Sequence, residues 1–396
     1  NQGMKTRLFP FQMDGVWCLE KHKGSGLLAY EIGLGKTIQA IAHLKLHPEL
    51  RPAIILCPAF LKENWKWELA EHAGLDCLIA KGRIPWDKSC HPTDIILLNY
   101  DLLIGQGISS WVSWIVQQNP KIVICDESHK IKNPGAQRTE QCKHLFKVID
   151  RKIFLTGTPM ESRPMDLFVT LQALAPAQFP SKHTFGINYC GGKKVFFGRP
   201  NWTTGEQKSA WDYSGASNIP ELNYRLRDIM IRRKKAGVLK DLPPKTRAIV
   251  PVEISNRGEY NRAHKEFLDW VLENFGKQRM LSATRQEAIT KLTYLKTLTG
   301  KGKLPAAINW IDNFQEQTGK KLVVFAINHE ILDTLKVHYK GQAIQIDGRV
   351  PASKRKDLVD QFQTDSKTPL LLGQMEAAGT GFNMTLLGLF GLGPKW

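Results

Sequence analysis

Acid is in short supply in this chain: 37 Asp and Glu stand against 55 Lys and Arg, a formal charge of +18. That excludes an acidic, solvating polypeptide and makes a polyanionic partner the first explanation, with a generally basic, solvated surface as the alternative. C-x-x-C pairs are missing too. The seven cysteines are scattered, and Cys57 and Cys125 lie inside apolar runs, so they read as small core residues of a reducing compartment and as neither disulfides nor a zinc cage. No apolar segment approaches the roughly 20 residues of a membrane span, so no membrane partner is expected. Short internal repeats and a low-complexity tail are also lacking. The chain opens at Asn1 with neither a methionine nor a secretory signal, as expected of a trimmed piece of an intracellular protein, nuclear if eukaryotic and cytoplasmic or nucleoid otherwise. What remains is 396 residues, 42% of them hydrophobic, enough for two or more domains with cores of their own.

The stretch from Gly26 to Gln39 organises the rest. Gly26 to Ala29 reads as a short buried strand, Gly33, Leu34 and Gly35 as a loop, and Lys36 and Thr37 as the start of a helix with apolar spacing at Ile38, Ile41 and Leu44. Strand, glycine loop and helix N-terminus make a cradle for phosphate, because loop N–H groups and the helix dipole both face the anion. Lys36 would reach the β- and γ-phosphates, and the Thr37 hydroxyl would hold magnesium. The usual pattern has a glycine six residues before the lysine, whereas Tyr30 stands there. A glycine turn followed by an exposed lysine is the plain alternative.

Further apolar runs, within Ala53 to Pro58, Asp94 to Tyr100, Lys121 to His129 and Lys152 to Pro159, alternate with helical segments, which indicates a parallel sheet of β-α-β units. The run from Lys121 ends in two adjacent carboxylates, Asp126 and Glu127. Ligands of such sheets sit at the carboxyl ends of the strands, where Asp126 would hold magnesium and Glu127 would orient and deprotonate an attacking water. The strand ending at Leu155 runs into Thr156, Gly157 and Thr158, able to feel a γ-phosphate. Upstream, Gln12 is a candidate adenine reader or a surface glutamine. Lys62 and Trp65 suit a nucleic-acid strand, or belong to an amphipathic helix that packs its tryptophans inward.

Taken together, Glu31 to Gln39, Asp126 to His129 and Leu155 to Pro159 resemble the Swi/Snf-type DNA-dependent ATPases of helicase superfamily 2. The resemblance implies an α/β fold of two RecA-like parallel-sheet lobes, the P-loop NTPase helicase core, with helical protrusions. It implies ATP and Mg2+ as cofactors, double-stranded or forked DNA as partner, Gln12 as adenine reader, and Lys36, Asp126 and Glu127 as the catalytic set. Thr156 to Thr158 would couple nucleotide state to DNA. Trp211 to Leu222 and Ile229 to Lys245 look like the distal annealing-helicase subgroup. One departure is Tyr30, where the family usually has aspartate; a phenol there would crowd the loop.

The expected division is lobe 1 over 1–170, a helical, basic protrusion over 171–240, a linker and second protrusion over 241–300, and lobe 2 over 301–396. Arg232 and Arg233 in the basic run are expected on DNA, as solvated charge otherwise. Ala248 to Glu253 reads as an edge strand of lobe 2. Ala377 to Thr385 resembles motif V, so Gly379, Thr380, Gly381 and Asn383 are expected near DNA. Family members continue into motif VI, whose arginines contribute on the order of 10³–10⁵ in rate. The expectation is therefore a translocase or remodelling core that binds ATP and DNA but turns over slowly. A superfamily 2 RNA helicase and a non-catalytic DNA-binding scaffold are the alternatives.

Overall fold

The computed structural model describes residues 3–392 apart from 88, 92, 106, 198–206, 241–246, 276–281 and 376–387. Two compact units divide it, Asn1–Pro243 and Pro244–Trp396. In the first, strands β1 (Gly26–Leu28), β2 (Ala53–Cys57), β3 (Leu78–Ile79), β4 (Ile95–Asn99), β5 (Ile122–Asp126) and β6 (Arg151–Leu155) form a parallel sheet. A hairpin, β7 (Lys193–Phe197) and β8 (Lys208–Asp212), follows, and then β9 (Met230–Ile231). β9 joins the sheet beside β1, giving the order β3-β4-β2-β5-β6-β1-β9.

The helices between these strands are α1 (Pro10–Lys21), α2 (Lys36–Leu46), α3 (Lys62–Ala73), α4 (Ser110–Gln117), α5 (Gln137–Val148), α6 (Phe168–Leu174), α7 (Lys182–Tyr189), α8 (Ile219–Leu226) and α9 (Lys235–Val238). The inner strands are apolar over most of their length because helices cover both faces, and successive side chains alternate between two cores. Ile54, Leu56, Ile96, Leu98, Val123, Cys125 and Phe154 meet Trp111 and Ile115 of α4, Leu145 of α5 and Phe168 of α6. Ile55, Cys57, Leu97, Ile124 and Leu155 meet Leu19 of α1, Ile41 and Leu44 of α2, and Trp65 and Leu69 of α3. The cysteines are all free, five of them buried.

The second unit begins with α10 (Arg257–Phe275) and α11 (Ser282–Thr318). A parallel sheet follows in the order β11-β12-β10-β13, with β10 (Leu322–Ala326), β11 (Ala343–Ile346), β12 (Leu370–Gln374) and β13 (Gly388–Leu392). Helices α12 (His329–His338) and α13 (Ala352–Thr364) connect them. Here too the faces divide: Val324 and Leu372 pack with Leu332 and Leu335 of α12, while Val323 and Leu371 pack with Phe362 of α13.

The α/β class with two parallel sheets is as expected. Within residues 171–240, α6 straddles 170–171, the hairpin lies inside the segment, and β9 returns to the main sheet. The boundary at 300 falls within α11. Ala248 to Glu253 forms no strand: it pairs with none of the described strands, and its Ile249 and Val250 are exposed. No helix among the described residues is long and apolar enough to cross a membrane.

Phe154 is fully buried on β6, an inner strand of the loop-bearing sheet, edge-on to Phe146. Phe154→Ala should cost about 3–5 kcal/mol, read as a lower midpoint in urea denaturation of the chain.

Candidate nucleotide site

The C-terminal edge of the first sheet carries the site. β1 ends at Leu28, and the loop that follows turns through Gly33 and Gly35, both at positive φ (86° and 71°), before α2 begins at Lys36. Left-handed backbone at both positions needs glycine, and it lifts the loop clear of the sheet edge. Lys36 is buried and donates its Nζ to the Tyr30 carbonyl at 3.0 Å. Burial pushes this ammonium down, while the Glu127 and Asp126 carboxylates hold it up and Arg232 and Lys235 press it down further. Lysine and acidic pair, 90 positions apart, therefore share one electrostatic neighbourhood, as the order β5-β6-β1 requires. Thr37 occupies the second position of α2, half-buried.

Asp126 closes β5 and is sealed from solvent. The indole Nε1 of Trp65 donates to its Oδ2 and the Glu127 N–H to its Oδ1, both at 2.8 Å. Burial, then repulsion from Glu127, still push its carboxyl up to about 6. A divalent cation relieves both penalties at once, so this donor fits the magnesium of a nucleotide. Behind it the Tyr100 hydroxyl donates to the Asp126 carbonyl at 2.8 Å. Glu68, buried on α3 with Asn64 donating at 2.7 Å, is pushed by burial up to about 7.

Glu127 sits at φ 48°, a left-handed conformation that costs a non-glycine residue of order 1 kcal/mol and turns its side chain out of the strand direction. Burial would raise its carboxyl, but the hydrogen bond and charge of His129, 3.1 Å away, and the charge of Lys36 bring it below the usual range. His129 Nδ1 also reaches Thr156 Oγ1 at 3.4 Å, and Thr156 Oγ1 accepts the Thr158 N–H at 3.2 Å. The acidic pair and the turn after β6 are thus joined through one imidazole. Gln12 packs over the loop from α1: its Oε1 accepts the Phe9 N–H at 3.0 Å, and its Nε2 donates to the Leu34 carbonyl at 3.3 Å.

Four residues expected on DNA make contacts within the first unit. Trp65 is buried and serves Asp126, because α3 turns its indole inward. Lys62 gives its ammonium to the Ala80 carbonyl and Asn99 Oδ1, at 2.9 and 3.0 Å. Arg232 donates to the Ala29 and Gly157 carbonyls, at 2.9 and 3.4 Å, bracing the ends of β1 and β6. Arg233 pairs with Asp14 of α1 at 3.4 Å. The Glu31 N–H then donates to the Arg233 carbonyl at 3.0 Å, and the Lys235 N–H to Glu31 Oε2 at 2.8 Å. Residues 232–235 are a strap on the phosphate loop, which the sequence offered only as a basic run. Gly379, Thr380, Gly381 and Asn383 lie outside the described residues.

Tyr30 does not crowd the loop. Its ring turns away into the core, where the hydroxyl donates to the Phe11 carbonyl at 3.0 Å, and only its backbone carbonyl faces Lys36.

The SNF2-related domain family matches residues 11–303 of the chain. Among curated proteins, the mouse "DNA annealing helicase and endonuclease ZRANB3" is 32% identical over 96% of the chain. A Caenorhabditis elegans homologue of the "SWI/SNF-related matrix-associated actin-dependent regulator of chromatin subfamily A-like protein 1" is 30% identical over 96% of it. The chain spans 35% of the length of the first and 53% of the second. A solved Sulfolobus solfataricus SWI2/SNF2 ATPase core in complex with dsDNA is similar at 21% identity and a TM-score of 0.49, over 98% of this chain and 82% of that one.

The raised Asp126 carboxyl has a thermodynamic consequence. A carboxyl whose folded pKa lies above its unfolded one stabilises the fold only while protonated, so its penalty grows as pH rises from about 4 through about 6. Asp126→Asn removes the charge and keeps an acceptor for Trp65, at the cost of the bond from the Glu127 N–H, which is the same at every pH. Without nucleotide it should melt higher than wild type at pH 7–8, by up to about 3 kcal/mol, with the difference shrinking toward pH 4. Calorimetric melting across that range checks the slope and its sign.

Proposed function

The chain belongs to the SNF2-related domain family, and from that premise we propose that it is the core of an ATP-dependent DNA translocase acting on duplex or branched DNA. The observation that carries the reading is the buried Lys36 ammonium sharing its surroundings with Asp126 and Glu127 at the exit of a parallel sheet. Loop N–H groups and Lys36 would hold the β- and γ-phosphates, with Thr37 and Asp126 as magnesium donors. Magnesium, when bound, supplies charge neutralisation on the phosphate oxygens. Glu127 stays ionised and is steadied by His129, the state a group needs to orient water and accept its proton. Through Thr156 and Thr158 the same imidazole would pass the state of the γ-phosphate to the turn after β6. The relatives' names support DNA as the partner, and forked or annealing substrates are the finer form of this reading.

DNA needs a basic surface, and the hairpin offers one. Lys193, Lys194, Lys208, Phe196, Phe197 and Trp211 are exposed on β7 and β8, with the Lys194 ammonium 5.5 Å over the Phe196 ring. Ammonium groups for phosphates beside aromatic rings for unstacked bases suit a strand at a junction.

Titration calorimetry with Mg-ATP should give binding by the wild type and none by Lys36→Ala. Turnover should rise with duplex or forked DNA above single strands and above RNA duplex. A wild type that binds no nucleotide overturns the motor in favour of a scaffold, and stronger stimulation by RNA duplex replaces DNA with RNA. Replacing Lys193 and Lys194 together by alanine should weaken DNA binding evenly across sequences. It should also lower the slope of log affinity against log salt by about two, since each ammonium neutralises one phosphate.

A further inference from the structure

The helices that frame the phosphate loop meet again at their other ends. Gln12 at the start of α1 lies against the loop, and Glu20, two turns later, faces His43 on α2 and His47 just beyond it. Glu20 Oε1 lies 2.7 Å from His43 Nδ1, and Glu20 Oε2 lies 2.7 Å from His47 Nε2. The two rings, four residues apart on one helical face, have centroids 4.8 Å apart, and the three ligand atoms lie within 4.8 Å of one another. Glu49, in the turn Pro48–Leu50, holds His47 Nδ1 at 2.7 Å. An imidazole that faces carboxylates through both nitrogens keeps positive charge between them: either the ring carries both protons, or a metal replaces the one at Nε2.

We propose that Glu20, His43 and His47 bind one divalent cation of borderline hardness, zinc in the first instance, which ties the far ends of α1 and α2 together. Two imidazoles and a carboxylate are a zinc donor set, and histidines at i and i+4 present their nitrogens to one point. Bonds of about 2.0–2.2 Å put donors a little over 3 Å apart, so the two 2.7 Å contacts need to open by about half an ångström while donors as far as 4.8 Å apart draw in. Glu49 supplies the outer carboxylate that fixes the tautomer of a ligating histidine, its proton at Nδ1 and its lone pair at Nε2. Binding through His43 Nδ1 places the ring proton on Nε2, which has no hydrogen-bond partner, and exchanges the Nδ1–Glu20 hydrogen bond for a metal bond. Glu20 and His47 are each about one-third exposed (35% and 31%), which leaves the metal an entry path and a fourth position for water. The site is independent of whether the loop binds nucleotide.

Zinc titration of the full chain against a chromogenic chelator tests it. Wild type should take up one equivalent, and Glu20→Gln and His47→Ala should each lower the affinity at least tenfold. Zinc should raise the melting temperature of the wild type and of neither variant. The cobalt(II) form should show visible d–d bands without sulfur-to-metal charge transfer, which separates this site from the free cysteines. Absence of binding, equal affinity in the variants, or a thiolate band overturns the proposal. Both substitutions are at part-exposed positions, and Glu20→Gln preserves shape, so a folding failure of His47→Ala leaves the decision with Glu20→Gln.

Discussion

A carboxylate with no water around it needs compensation, and Asp126 sets the terms for the edge of the first sheet. Its two oxygens receive an indole N–H and a backbone N–H, which nearly exhausts what neutral donors supply. Glu127 beside it adds repulsion, and Lys36 returns only part of that. The left-handed turn at Glu127 lets the second carboxylate leave the first and pair with His129. An amide here would shed the charge but turn an NH2 toward one of the two donors. Keeping two carboxylates and a buried lysine in one neighbourhood costs stability, and that cost is consistent with a site that manages phosphate and metal charge.

The sequence carries much of this edge in legible form. Apolar runs placed β1, β2 and β4 to within a residue or two and located β5 and β6, because strands covered on both faces are apolar over most of their length. The loop and the acidic pair were legible for a related reason: each interrupts such a run with residues that a strand exit rarely carries without a ligand. Trp65 was not legible in the same way. On α3 tryptophans alternate with charge, and only the angle at which the helix meets the sheet decides that Trp65 is buried while Trp67 stays exposed. The basic run near 232 was unreadable for another reason. Its meaning depends on β9, two residues long, whose pairing with β1 spans some two hundred positions and leaves no local periodicity.

Tyr30 shows how a residue can depart from a family pattern while the backbone keeps its job. What Lys36 contacts at position 30 is a carbonyl, which every residue has. The side chain is free to be large provided that the core behind it has room and a hydrogen-bond acceptor, and Phe11 supplies the acceptor. The phenol then becomes a tie between the loop strand and α1. The strap from Arg232 to Lys235 works from the other side, holding Glu31 by its N–H and its carboxylate. The loop is fixed at its entry, and its freedom is confined to the glycines beyond Ile32.

The pairing of α1 with α2 follows from the same economy. A side chain at Gly15 would run into Gln39 Oε1, so the two helices touch backbone to side chain at mid-length. Gln39 in turn donates to the Gly35 carbonyl at 3.0 Å, which ties that contact to the loop. Gln12, one turn before Gly15, is therefore placed by how α1 docks on α2 as well as by its bond to the Leu34 carbonyl. Any constraint that sets the angle between these helices also sets where the Gln12 amide lies. The Glu20, His43 and His47 cluster acts on that angle with the longest lever arm that α1 provides, about 12 Å along the helix from Gln12.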